Sequence, residues 1–345
     1  MFDKIKNSID KSLKSYCASF SRAHKLERIS PLIGSLIREF IARPGKRVRP
    51  MLFCASYLGY AKKQAPGLYT SCLSIELLHD FMLIHDDIID KSDTRRGKPS
   101  MHAMLNSRLK GKNCKFSGQD LAIVIGDILY AMSIHAFLAI EEKPERKEKA
   151  LKRFIDAALF TGSGEFIELI YGATSLEKVT REDIYKVYDY KTACYTFACP
   201  LSIGAILGGA SESDVRDLFD YGIYLGRAFQ IKDDLIGIFS DEKEIGKSNL
   251  TDIQEAKKTL LIWAAYKNPG PGHRKKIKQI LGKEQVDSRD LKAIRAVIIA
   301  SGAADYARKE TAAFTRKAEL LLDRCAMRPA VKKELKEYSR RILSM

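Results

Sequence analysis

The chain has 345 residues, 46% of them hydrophobic, and a formal net charge of +16. That length and apolar content suffice for a substantial buried core, which excludes a disordered or fibrous protein. The basic balance draws anions, but no zinc finger, RNA-binding sheet motif or basic zipper accompanies it, so nucleic acid is not expected as a partner and a phosphorylated small molecule is.

Phe2, Ile5, Ile9 and Leu13 recur at helical spacing. They predict an N-terminal helix packed on the body, with a transient membrane-surface contact as the alternative use of that face. Arg43-Pro44-Gly45 interrupts a helix ahead of the cationic turn 45–50. Helices are expected over 51–60 and 69–91. Residues 107–120 are polar and read as a loop. Core helices follow over 121–139 and 147–171. The apolar run 121–140 carries Asp127 and His135 and is bounded by charge, so it reads as a buried helix and not a membrane span. The stretch 181–207 is helical with a kink or break at Pro200. A helix over 213–239, a polar loop over 241–251, a helix over 259–266, a break at 268–272 and further helices complete the chain. Strand-like alternation is scarce and no repeat of fixed period is present. The expected fold is all-α, in one domain covering 1–345. Seven irregularly spaced cysteines, an odd number with no CxxC pair, indicate reduced thiols and a cytoplasmic protein. The basic N-terminus lacks the continuous apolar stretch of a secretory signal.

Two acidic clusters stand inside these apolar helices. The first is His85-Asp86-Asp87-Ile88-Ile89-Asp90, and the second is Gln230-Ile231-Lys232-Asp233-Asp234-Leu235-Ile236-Gly237. Asp86 and Asp90, one helical turn apart, share a face and repel unless a cation sits between them. Mg2+ suits that role, since it takes one or two carboxylates together with substrate phosphates. Asp87 points elsewhere and supports. In the second cluster the same spacing from Asp233 lands on Gly237, so Asp233 is the main ligand candidate, with Asp234 and Asp241 as helpers. For one cluster alone a solvated charge run competes on equal terms. The apolar flanks and the second cluster weigh against it. Arg95-Arg96, Gly45-Lys46-Arg47-Val48-Arg49-Pro50, Lys191-Thr192, Gly246-Lys247 and Lys257 supply cations suited to phosphate. Any one of these is ordinarily a surface ion pair. Together they look like two diphosphate pockets, one bridged by metal and one bound directly.

The segments GKRVRP (45–50), ELLHDFMLIHDDIIDKSDTRRGKPSMH (76–102), GD (126–127), YKTA (190–193), FQIKDDLIG (229–237) and EIGKSNLTDIQEAKKT (244–259) resemble the trans-type isoprenyl diphosphate synthases, most nearly the archaeal type that makes geranylgeranyl diphosphate. The resemblance implies a single bundle of antiparallel helices around a central cavity, and a homodimer. It implies head-to-tail condensation of isopentenyl diphosphate with an allylic diphosphate. Carried over, Asp86 and Asp90 would hold two Mg2+ ions and Asp233 a third. Arg95, Lys191 and Lys247 would grip the allylic diphosphate. Lys46, Arg49, His79 and Arg96 would grip isopentenyl diphosphate. Thr192 and Gln230 would flank the developing carbocation, and Lys257 would close the site. Phe81, at the fifth position before the first cluster, with Met82 and Leu78, would set the product at C20. A C15 or longer product is the alternative. His79 reads as a diphosphate donor in preference to a base, and His85 as structural. Two departures stand out. Gly237 replaces a third aspartate. Glu165 replaces a common glutamine, its charge calling for a partner such as Lys191, with Glu168 beside it. The competing readings are a class I terpene cyclase, which would leave the second cationic site without a purpose, a non-catalytic synthase subunit, which would be expected to lose an acidic cluster, and a basic membrane- or nucleic-acid-binding helical protein.

Overall fold

The computed structural model of the chain describes residues 1–240, 249–268 and 270–344. Its elements begin with α1 (Phe2–Ala23), α2 (Leu26–Ile29), α3 (Pro31–Ile41), α4 (Val48–Tyr60), α5 (Leu68–Ser71) and α6 (Leu73–Ile89). A hairpin of β1 (Thr94–Arg95) and β2 (Lys98–Pro99) follows, then α7 (Met101–Leu109), α8 (Gly118–Phe137), α9 (Pro144–Ala173) and α10 (Arg181–Val187). A π-helix, π1 (Tyr188–Ala198), leads into α11 (Cys199–Gly208) and α12 (Glu212–Phe239). The last elements are α13 (Thr251–Gln254), α14 (Leu260–Lys267), α15 (His273–Leu281), α16 (Ser288–Ala300), α17 (Ala303–Arg324) and α18 (Pro329–Ser344). Among the described residues the fold is all-α apart from that hairpin, in which Thr94 lies opposite Pro99 and Arg95 opposite Lys98. The chain forms two compact units: Met1–Phe154 with Ile203–Ala210, and Ile155–Ser202 with Ser211–Met345.

Several boundaries differ from expectation for local reasons. The helix expected from 69 is divided at Cys72, and α6 ends with Asp90 as its C-cap. The expected loop 107–120 is shorter, because α7 fills its start and α8 opens at Gly118. A reciprocal cap fixes that opening: the Ser117 side chain accepts from the Asp120 N–H while Asp120 accepts from the Ser117 N–H. Pro200 neither breaks nor ends the helical run. It is the second residue of α11, directly after π1, so the wider turns of the run end where proline withholds an N–H.

In the first unit α6 packs on α8, and α1 lies against α4 and α5. Phe2, Ile5, Ile9 and Leu13 are all buried, so the apolar face of α1 is used in packing. Burying each such side chain contributes roughly 1.5–3 kcal/mol. The helix α8 is long and apolar enough by composition to cross a membrane; here it packs against α6 and α7.

In the second unit α12 packs mainly against π1 and α17. A Cβ added at Gly222 would fall 2.4 Å from the Ala198 Cα, and one at Gly226 would fall 2.3 Å from the Ala193 Cβ. The two helices therefore meet nearly backbone to backbone, which requires glycine on α12. The same stripe, at four-residue steps, continues to Gln230 and Asp234 and carries both polar groups onto π1.

Candidate active site

In the first unit, Asp86 and Asp90 occupy the end of α6, half-exposed and one turn apart, with the Asp90 N–H donating to the Asp86 carbonyl at 2.8 Å. Asp87 turns inward and is fully buried. Arg95 reaches it from β1: its Nε donates to Asp87 Oδ1 at 2.6 Å, and its Nη2 to Asp86 Oδ2 at 3.3 Å. Burial pushes the Asp87 carboxyl up, and the Arg95 hydrogen bond and charge pull it back. Arg95 thus stands at the first cluster with its charge shared between two carboxylates. The His85 ring lies 3.3 Å from the Ile123 carbonyl and edge-on to Phe81, a structural placement. The Phe81 ring also lies 5.3 Å from that of Tyr130 on α8, a partner that spacing along α6 could not reveal. Met82 is half-buried and Leu78 fully buried.

The cationic turn is ordered by its own middle arginine. Arg47 is buried, donating from Nη1 to Glu76 at 2.7 Å and from Nε to Asp10 at 3.1 Å, and capping the Ile41 and Arg43 carbonyls. A buried arginine matched this fully is anchored; beside it Lys46 is exposed and Arg49 half-buried. Arg96 and Gly97 form the two-residue hairpin turn, both at positive φ (56° and 70°), the conformation favoured between antiparallel strands. A Cβ on Gly45 would lie 3.4 Å from guanidinium nitrogens of both Arg47 and Arg96, so the cations gather over a bare backbone. His79 is held well below its ordinary pKa, first by burial and then by Arg49, Arg96, Arg95 and Arg47, so its ring is neutral at pH 7. Beside it Asp80 is fully buried, and neither carboxylate oxygen has a hydrogen-bond partner among the described residues. Burial, then the Glu76 charge, pushes Asp80 up to about 8 against the pull of Arg96, Arg47 and Arg49.

In the second unit, Lys191 stands in the first turn of π1, with its ammonium between Glu165, at 2.5 Å, and Glu168 of α9. The close approach of α9 depends on Gly164, where a Cβ would fall 2.3 Å from the Lys191 amide nitrogen. Thr192 donates from Oγ1 to Gln230 Oε1 at 2.8 Å, and Gln230 donates from Nε2 to Asp234 Oδ1 at 2.9 Å. The other Asp234 oxygen accepts from the Tyr188 hydroxyl, whose oxygen accepts the Leu260 N–H at 2.8 Å. Asp233 is exposed and Asp234 buried. The vacancy at Gly237 is filled from elsewhere: the Asp252 Oδ2 lies 2.9 Å from where a Cβ would be. Lys257 pairs with Glu255 at 2.7 Å and with Asp252 at 3.7 Å. Burial, then the Asp252 charge, raises Asp234 to about 8, with Tyr188 and Gln230 opposing and Asp233 adding. Asp233, Asp252, Lys191, Lys257, Thr192 and Gln230 all line one cavity of about 100 Å³. Asp233 and Asp252 offer hard carboxylate oxygens of the kind Mg2+ takes. Lys247 and Asp241 lie outside the described residues.

The chain can now be placed among known proteins. Residues 30–298 match the family model described as polyprenyl synthetase. The chain belongs to the polyprenyl synthetase family. A geranylgeranyl diphosphate synthase from Sulfolobus acidocaldarius is 30% identical over 308 residues, 89% of this chain and 86% of that protein. A geranylfarnesyl diphosphate synthase from Aeropyrum pernix is 33% identical over 298 residues, 85% of this chain and 86% of that protein. Among solved structures, a geranylgeranyl pyrophosphate synthase from Corynebacterium glutamicum, complexed with isoprenyl diphosphate and magnesium, aligns with a TM-score of 0.89 at 26% identity over 99% of each chain. This polyprenyl synthetase carries its first acidic cluster and cationic turn in one compact unit, and its second acidic cluster with Lys191 and Lys257 in the other.

Proposed function

We propose that this prenyltransferase condenses isopentenyl diphosphate head-to-tail with allylic diphosphates, in a Mg2+-dependent reaction of a single catalytic domain, giving all-trans geranylgeranyl diphosphate. One observation carries the reading: beside the acidic cluster of α6, the first unit holds a separate cationic site, in which Arg96 and the Gly45–Arg49 turn surround a neutral His79. A terpene cyclase, with one diphosphate to bind, has no use for it. Relatives named for C20 and C25 products support the substrate class.

Asp86 and Asp90 would hold two Mg2+ ions and Asp233 a third, with the Asp252 carboxylate adding negative charge beside Gly237. Bound metal neutralises the diphosphate leaving group. The chain does the rest. By the family resemblance Arg95, Lys191, Lys247 and Lys257 would grip the allylic diphosphate, and positive charge fixed beside a departing diphosphate lowers the barrier. Lys191 is poised for this between Glu165 and Glu168, which hold its ammonium in place. Lys46, Arg49 and Arg96 fix isopentenyl diphosphate by charge, and the uncharged His79 adds a hydrogen bond. Thr192 and Gln230, locked to each other, turn weak dipoles toward the allylic carbon as it becomes cationic. The isopentenyl double bond attacks that carbon, and the departing diphosphate takes the proton that is then lost.

Exposed apolar side chains on α8 (Ile123, Val124) and α9 (Leu159, Phe166, Ile170) are suited to cover by a second copy, which supports a homodimer. Seven free thiols fit the reducing cytoplasm. The net positive surface suits transient contact with an anionic membrane. The deciding experiment incubates purified protein with Mg2+, radiolabelled isopentenyl diphosphate and each of the C5, C10 and C15 allylic diphosphates, then separates the dephosphorylated products. Geranylgeraniol is expected from all three starters. A labelled-free hydrocarbon, or no incorporation, would overturn the reading.

A further inference from the structure

The Tyr188 hydroxyl is the end of a chain of hydrogen bonds that starts at the reacting centre. Thr192 binds Gln230, Gln230 binds Asp234, Asp234 binds the Tyr188 hydroxyl, and that oxygen accepts the Leu260 N–H. Tyr188 is almost wholly buried and Asp234 is 4% exposed, so no bulk water can replace either partner. Three separate elements meet at this one oxygen. They are π1, which carries Lys191 and Thr192; α12, which carries Asp233 next to Asp234; and the first residue of α14, which follows the turn bearing Lys257 and Lys258. The turn has a second tie on its own side, where Lys258 donates to the Gly172 carbonyl at 3.1 Å. Tyr188 is also the first residue of π1. A π-turn shifts every later side chain of the helix around its axis, and such turns concentrate at functional sites.

We propose that Tyr188 is a positioning residue, whose hydroxyl sets the Asp234 carboxylate and the start of α14 together, so that Asp233, Lys191 and Lys257 address one diphosphate. This rests on the proposed diphosphate chemistry but touches no substrate. Loss of the hydroxyl leaves one Asp234 oxygen and the Leu260 N–H buried without partners, while the ring still fills its volume. The carboxylate is then free to rotate, and the groups flanking it lose their common reference.

The test compares Tyr188→Phe with Tyr185→Phe. Tyr185, one turn earlier, makes the same kind of bond, to Glu310 at 2.5 Å, away from the chain of hydrogen bonds. Both variants are expected to lose thermal stability. Binding of Mg2+ with inorganic diphosphate, measured by calorimetry, is expected to weaken about tenfold in Tyr188→Phe alone. In turnover assays kcat should fall and the allylic KM and Mg2+ requirement should rise in that variant, with the KM for isopentenyl diphosphate unchanged. Equal behaviour of the two variants, or Mg2+-diphosphate affinity within twofold of the parent in Tyr188→Phe, would overturn the proposal. The binding readout stands without turnover, so a parent protein that binds Mg2+-diphosphate yet makes no prenyl product would sink the proposed function and leave this inference to be judged on its own.

Discussion

Arg96 sits at φ 56°, a conformation that costs a residue with a side chain about 1 kcal/mol or more and persists where the side chain is needed. Glycine adopts it freely. Arg96→Gly is therefore expected to keep or slightly raise the melting temperature while raising the KM for isopentenyl diphosphate tenfold or more, checked by thermal melts and steady-state kinetics on the same protein. Asp80 tells the opposite story, of a charge kept from forming. Its carboxyl ionises near ~3.9 in an unfolded chain but near about 8 in the fold. The stabilising contribution of the protonated form is thus present below pH 4 and is lost as pH rises toward 8. Asp80→Asn should flatten the decline in melting temperature between pH 5 and 8 and raise it at pH 8. Asp86→Ala should cut turnover about a thousandfold with an unchanged circular dichroism spectrum; retained turnover would remove it from the metal site. Phe81→Ala should lengthen the product, read by chromatography; an unchanged product length would remove Phe81 from that role. At this scale the four-residue step put Asp86 and Asp90 on one helix face, and they lie one turn apart at the end of α6; for Asp233 the same step meets Gly237. Asp252 was not legible as the neighbour of Gly237, because it arrives from another element, and the pairing of Tyr188 with Asp234 depends on a helix register that spacing does not announce.

Helix π1 is the element on which the second unit turns. The deviation from α-geometry spans Tyr188–Ala198, ends just before Pro200 and carries Lys191 and Thr192. No residue type marks a π-turn as proline marks a kink, so apolar spacing carries no sign of it. The glycines that let α12 and α9 close on π1 were visible as letters, yet their partners were not. Gly164→Ala drives a methyl group to within 2.3 Å of the Lys191 amide nitrogen. It should destabilise by about 1–3 kcal/mol as an overpacked contact and lower kcat as Lys191 shifts, both measurable by denaturant titration and kinetics. Elsewhere the periodicity of apolar residues located α6, α8 and α12 to within a few residues. The Ser117–Asp120 cap, a recognisable pattern, fixes the one boundary that polar composition had blurred.

At the scale of the whole molecule, the helical class and the family were readable from the order of six motifs across residues 45–259, because each places a charge or glycine that its local chemistry needs. The partition of the chemistry was not. Net charge of +16 says that anions are attracted. It does not say that the cations split between a turn pinned by Arg47 and a lysine clasped by two glutamates.

Arg47 reaches past the matched family segment. One of its two ion pairs is with Asp10, on a leading helix that lies before residue 30, where the family match begins. That helix therefore works as a buttress for the turn carrying Lys46 and Arg49. A shortened version of the protein that begins at the family boundary would keep every residue assigned to the chemistry and is still expected to bind isopentenyl diphosphate more loosely, because the guanidinium that stiffens the turn would have lost one of its two ion pairs.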